Sequence, residues 1–255
     1  MKIAISGKGG VGKTILAALL SKIFAGSDYS VLAIDADPDA NLAATLGFPE
    51  PEKIVPISEM KELIEERTGV RPGTTSPFFK LNPKVDDIPE KYAVEWDGIK
   101  LMVMGRIKKG GTGCYCPENA LLQALVTHLL LARNEVVILD MEAGIEHLGR
   151  ATVGAVDKLI IVVEPGRRSI ETAYAIKRMA QDIGLHNIAV VGNKIRSQQE
   201  KEFIMTSLTG FDFLGFIPYD QALVEADLAN LPLLNASQEI IAEVKNIYHK
   251  LISVN

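Results

Sequence analysis

Gly7-Lys8-Gly9-Gly10-Val11-Gly12-Lys13-Thr14 is a glycine-rich turn with a lysine near each end. The apolar run Ile3-Ala4-Ile5 precedes it, and Leu16, Leu19, Leu20 and Ile23 follow at helical spacing. A phosphate-cradling P-loop needs that strand–loop–helix context. Its glycines let backbone N–H groups curl around phosphate oxygens, and the helix N-terminus adds a dipole of the right sign. In such a loop Lys13 reaches the β- and γ-phosphates and the Thr14 hydroxyl ligates magnesium. Gly9, Gly10, Val11, Gly12, Lys13, Thr14 and Ile15 are the expected contacts to a nucleoside triphosphate.

Outward from this loop, continuous apolar runs recur at Val31–Ile34, Ile99–Met104, Val136–Leu139, Leu159–Val163, Ile188–Val191 and Phe213–Ile217. Unbroken runs of this kind suit strands buried on both faces of a parallel sheet. Helical periods lie between them at Leu122, Leu125 and Leu129, and at Ala173, Ile176, Ala180 and Ile183. A closing helix carries Ile240, Val244, Ile247 and Leu251 on one stripe. The expected fold is α/β, a doubly wound, mostly parallel sheet of about seven to eight strands with helices on both faces. Ligands of such sheets bind beyond the carboxyl ends of the strands, where the glycine-rich loop falls.

Residues from about Pro49 to Val94 break the rhythm, with Pro49, Pro51, Pro56, Pro72, Pro77, Pro83 and Pro89 and one helical stretch around Glu59–Arg67. They read as an insertion in a single domain covering residues 1–255, and as a variable or partner-binding face. Asp97-Gly98 has the signature of a tight hairpin, which places an antiparallel edge strand at Tyr92–Glu95 against Ile99–Met104.

Composition bounds the function. Apolar content of 47% and charged content of 23% are ordinary for a globular protein, and the net charge of −5 argues against a nucleic-acid partner held by bulk electrostatics. The longest apolar run, near Ala120–Ala132, is interrupted by Gln123 and His128 and is too short and polar to span a bilayer. Met1–Ser6 runs into the loop without a secretory pattern, so the two cysteines read as thiols of a cytoplasmic protein.

Two acidic clusters fall where a P-loop ATPase needs carboxylates. Asp35-Ala36-Asp37-Pro38-Asp39-Ala40-Asn41 follows the second strand, and Asp140-Met141-Glu142-Ala143-Gly144 follows the strand Val136–Leu139. An aspartate there can hold magnesium, a glycine N–H can contact the γ-phosphate, and a second carboxylate can activate the attacking water. Aspartates at strand ends also serve simply as helix caps.

Lys8 ahead of Gly9-Gly10-Val11-Gly12-Lys13-Thr14 resembles the deviant Walker A motif of the MinD/ParA/nitrogenase-iron-protein class of dimeric ATPases (SIMIBI class). That resemblance implies ATP as the nucleotide, a homodimer, and Lys8 crossing to the partner's nucleotide. It implies water activation by Asp37, magnesium contact by Asp140, and γ-phosphate sensing by Asn41 and Gly144. Asn193, in Val191-Gly192-Asn193-Lys194, and Pro218, in Ile217-Pro218-Tyr219-Asp220, are implied on the adenine side.

The only cysteines, Cys114 and Cys116, lie in Gly113-Cys114-Tyr115-Cys116-Pro117. Two thiolates so spaced can bind one soft or borderline metal, and a closed tetrahedral site needs four ligands. A two-fold axis that pairs Cys114 and Cys116 with their copies completes it most simply, with His128 and His147 as possible additions. Together with Asp140–Arg150, Glu164-Pro165-Gly166 and Ser169, this pattern resembles the CooC-type carbon monoxide dehydrogenase maturation ATPases. The resemblance implies ATP-driven delivery of nickel to carbon monoxide dehydrogenase or acetyl-CoA synthase, with zinc an alternative at the same thiolates.

Two rival readings remain. A positioning ATPase of the MinD/ParA type, acting on membrane or DNA, needs a basic tail or face. The closing helix instead mixes Glu239, Glu243, Lys245 and Lys250. An iron–sulfur reductase like the nitrogenase iron protein would place one [4Fe–4S] cluster at the same axis, from cysteines that in that protein are far apart in sequence.

Overall fold

The computed structural model describes residues 1–37, 39–72, 78–105, 117–132, 135–143, 145, 156–228 and 237–253. Its strands are β1 (Lys2–Gly7), β2 (Val31–Ala36), β3 (Val94–Trp96), β4 (Ile99–Val103), β5 (Val136–Met141), β6 (Lys158–Val163), β7 (Ile188–Ile195) and β8 (Asp212–Pro218). They form one eight-stranded sheet in the order β3-β4-β2-β5-β1-β6-β7-β8. Every pairing is parallel except that of β3 with β4. β1 therefore runs down the middle and delivers the glycine-rich loop to the centre of the carboxyl edge.

Helices cover both faces, as the unbroken apolar strands require. On one face α1 (Lys13–Ala25), α2 (Leu42–Leu46) and α9 (Gln238–Ile252) pack onto Ile3, Ile5, Ala33, Ile138 and Val191. The stripe Ile240, Val244, Ile247 and Leu251 is buried there. Each such side chain contributes roughly 1.5–3 kcal/mol relative to exposure. Opposite lie α3 (Lys61–Thr68), α4 (Ile88–Tyr92), α5 (Pro117–Ala132), α6 (Arg167–Asp182) and α7 (Gln198–Ser207), while α8 (Gln221–Leu228) follows β8.

The Pro49–Val94 segment contributes Ile57, Leu63, Ile64, Val85 and Ile88 to the same buried cluster as Leu121, Leu122 and Leu125 of α5. Its inner side is thus part of the core. Arg67 and Lys91, each 2.8 Å from Asp87, tie its two helices together.

The edge strand differs from the sequence expectation. Tyr92 ends α4, started by Pro89 in its first turn and anchored by buried Ile88, so pairing begins only at Val94. The hairpin itself is as expected: Asp97 and Gly98 have φ of 51° and 75°, the left-handed pair a type I′ turn demands. β2 and β5 also run further than their apolar runs, which places Asp35 and Asp140 inside the sheet instead of after it.

Candidate nucleotide site

At the end of β1 the chain leaves the sheet against β6, and a Cβ at Gly7 would collide with the Val162 carbonyl. Gly12, at φ 94°, makes the left-handed step that starts α1, and its missing side chain leaves room for the Asn193 carboxamide. Asn193 on β7 is 7% exposed and donates to the Val11 carbonyl at 2.7 Å, while its oxygen accepts the Lys194 N–H at 2.9 Å. Lys194 reaches back to the Gly10 carbonyl. The expected adenine-side asparagine therefore also fixes the phosphate loop from below.

Lys8 projects from this loop toward its own chain's Glu164, at 3.0 Å, and Lys194 lies 3.5 Å from the other oxygen of that carboxylate. Glu164 follows β6, and its N–H is held by the Ser169 hydroxyl at 3.1 Å. The conspicuous Glu164-Pro165-Gly166…Ser169 pattern thus forms the turn that presents a carboxylate to the two lysines.

At the carboxyl ends of β2 and β5, beside the loop, stand three aspartates. Asp35 and Asp140 are paired in register on β2 and β5, and both are fully buried. Burial pushes Asp35 up to about 6, although the Leu42 and Asp37 N–H groups it accepts, at 2.9 and 3.2 Å, pull the other way. Burial also pushes Asp140 up, to about 7, with the nearby Asp35 charge adding to it and the Thr14 hydroxyl and Lys13 opposing. Neither Asp140 oxygen has a well-formed hydrogen bond among the described residues. Lys13, itself 6% exposed, lies 3.8 Å from Asp37.

A buried carboxylate with both oxygens unsatisfied, beside the P-loop threonine, is an unfinished site that a hydrated divalent cation would finish. Among the described residues no three His, Cys, Asp or Glu side chains converge on a metal. Magnesium at nucleotide sites does not need such a cage: one or two carboxylates, phosphate oxygens and water suffice. Thr14 and Asp140 fit that ion.

The two sides enclose a cleft of about 700 Å³. Gly9, Gly10, Gly12, Lys13, Thr14, Ile15, Asp37, Asn41, Asn193 and Pro218 all line it, so most of the residues expected from sequence converge there. Val11 is buried behind the loop, Asp140 lies beneath the lining, and Lys8 points away to Glu164. Tyr219 joins the lining, with the Arg196 guanidinium 4.3 Å from its ring centroid. Cys114, Cys116, Gly144, Pro38 and His147 lie outside the described residues. Sequence reading assigned no role to Asp35 or to the Glu164 carboxylate. The first sat in view inside Asp35-x-Asp37, and the second became meaningful only when β6 came to lie beside β1.

A P-loop at the centre of a doubly wound sheet, facing a buried aspartate cluster, defines an ATPase. Residues 2–233 match the family described as the CobQ/CobB/MinD/ParA nucleotide binding domain. The carbon monoxide dehydrogenase accessory protein CooC of Rhodospirillum rubrum is 48% identical over 239 residues, 93% of this chain and 90% of that protein. An uncharacterized ATP-binding protein of Methanocaldococcus jannaschii is 45% identical over all of this chain and 98% of its own length. The MinC:MinD cell division complex of Aquifex aeolicus superposes with a TM-score of 0.71 at 24% identity, covering 99% of this chain and 95% of that one, which speaks for the fold. The chain belongs to the CobQ/CobB/MinD/ParA nucleotide-binding family and, within it, to the CooC-type ATPases.

Proposed function

We infer that this ATPase is a metallochaperone that uses ATP to load nickel into the active-site cluster of carbon monoxide dehydrogenase or acetyl-CoA synthase in the cytoplasm. The observation that carries this reading is the 48% identity to CooC along nearly the whole of both chains. Nickel is the cargo, held at Cys114 and Cys116 of two subunits, and zinc competes for the same thiolates.

The described residues support a division of labour. Lys13 and the loop amides hold the β- and γ-phosphates, Asn193 and Pro218 border the base, and Asp37 faces the cleft as the group that activates water. Asn41 and Gly144 sense the γ-phosphate. Thr14 and Asp140 would hold magnesium, which would supply positive charge against the phosphate oxygens.

Lys8 acts on the partner's nucleotide in the dimer. To do so it leaves Glu164, a part-exposed pair of the kind worth about 0–1 kcal/mol. A cation supplied across an interface is worth a factor on the order of 10³–10⁵ in phosphoryl transfer. The gain far exceeds the loss, so pairing of two chains and hydrolysis become linked. Closure also gathers four thiolates into one metal site, and hydrolysis of ATP releases the metal to the client.

The test is reconstitution. Nickel-free carbon monoxide dehydrogenase incubated with this protein, nickel(II) and ATP should gain CO-oxidising activity, and ADP in place of ATP should not support the gain. Equal activation without the protein, or by a Cys114→Ser, Cys116→Ser variant, would refute the reading.

A further inference from the structure

We propose that Asp35 is a positioning residue for hydrolysis: its buried carboxylate grips both ends of the loop carrying Asp37 and fixes how far that side chain reaches into the cleft. The proposal rests on the reading of Asp37 as the water-activating group.

Asp35 lies within β2, paired to Val103 on one side and Asp140 on the other. Its backbone is pinned as well, since its carbonyl accepts the Met104 N–H at 2.8 Å. One carboxylate oxygen accepts the Asp37 N–H at 3.2 Å and the other accepts the Leu42 N–H at 2.9 Å. Leu42 is the first residue of α2, and Asn41 before it makes no side-chain cap. A residue inside the sheet therefore performs the capping that Asn41 leaves undone.

The loop between those two bonds carries Asp37 and Asn41, both lining the cleft. A bidentate acceptor in a fully buried strand is a stiff anchor, whereas Asp37 and Asn41 sit at the surface of the cleft. A general base works only within hydrogen-bond reach of its water, and a misplacement near 1 Å costs about 10²-fold. A carboxylate beside Asp140 is electrostatically costly, so the double grip offsets a cost that an apolar residue would avoid.

Asp35→Asn keeps one accepting oxygen, and Asp35→Ala keeps none. With ATP and magnesium, kcat should fall by about 10-fold in the first and about 100-fold in the second. The nucleotide Kd should stay within about 3-fold of wild type, because the P-loop still holds the phosphates. The double variant Asp35→Ala, Asp37→Ala should be no slower than Asp37→Ala, since Asp35 acts through Asp37. A merely structural Asp35 would give multiplicative losses, and that result would overturn the proposal.

If Asp37→Ala keeps wild-type kcat, the water-activation reading falls and this proposal with it. If Asp37→Ala is impaired and Asp35→Ala is not, only the Asp35 proposal falls. Should the Asp35 variants not fold, hydrogen exchange on the wild-type, nucleotide-free protein decides. The Asp37 and Leu42 amides should exchange at least about 10-fold more slowly than in an unstructured peptide. Exchange of both at peptide rates would overturn the assignment.

Discussion

On the P-loop side of the cleft the polypeptide satisfies itself. Asn193 holds the Val11 carbonyl, Lys194 holds Gly10, and Glu164 divides its oxygens between Lys8 and Lys194. On the acidic side, Asp35, Asp37 and Asp140 face one buried lysine, and both Asp140 oxygens go without well-formed hydrogen bonds. Both halves were assembled by the same sheet edge, yet one is satisfied as folded and the other leaves a buried carboxylate that a cation would satisfy. The first half can therefore be judged by what substitution removes, and the second by what substitution relieves.

The largest effect tests whether the completed half conceals a group meant for another chain. Lys8→Ala should cut ATP turnover by a factor on the order of 10³ or more while leaving ATP affinity near wild type. Turnover at the wild-type rate would make the Glu164 pair the whole role of Lys8. A smaller loss probes the preformed loop. Asn193→Ala removes the donor to Val11 and opens space beside Gly12, and should weaken ATP binding by about tenfold, the equivalent of ~1.4 kcal/mol. Calorimetric titration with ATP would read this directly, and an unchanged Kd would mean that Val11 and Gly12 hold themselves.

The smallest effect runs the other way. Asp140→Asn deletes a buried charge whose desolvation outweighs the support from Thr14 and Lys13, so it should raise stability at pH 8 in the presence of a chelator. At about 2–4 °C per kcal/mol for a chain of this size, a gain of several degrees in Tm is expected. Hydrolysis should be lost at the same time. A lower Tm would show that Asp140 is stabilising without its cation.

Much of this was legible in the chain. The glycine loop, its flanking strand and helix, and the unbroken apolar runs alternating with helical periods point to a parallel sheet, because strands buried on both faces carry such runs. Boundaries slipped where polar residues continue a strand. Asp35 and Asp140 pair across β2 and β5, and hydropathy alone stops before them. Helix α7 escaped notice although Ser197-Gln198-Gln199-Glu200 marks its start, with the Ser197 hydroxyl accepting the Glu200 N–H at 3.2 Å. The Glu164–Lys8 contact joins residues just past the ends of β6 and β1, far apart in sequence, a pairing that no local pattern encodes.

If the acidic half waits for a cation, binding must displace protons from its buried carboxyls, and counting them decides the matter. Asp140 is raised from the ordinary 3.8 to about 7 and Asp35 to about 6. The folded, nucleotide-free chain therefore binds protons more tightly than the unfolded one. Its stability should fall as pH rises from about 4 to about 7 and level off above. Bringing the preformed magnesium–ATP complex to the site should expel those protons. Calorimetric titrations in buffers of different ionisation enthalpy should show proton release at pH 6, almost none at pH 8.5, and a reduced release at pH 6 in Asp140→Asn. Equal release at both pH values, unchanged in the variant, would mean that neither carboxyl gives up a proton to the cation.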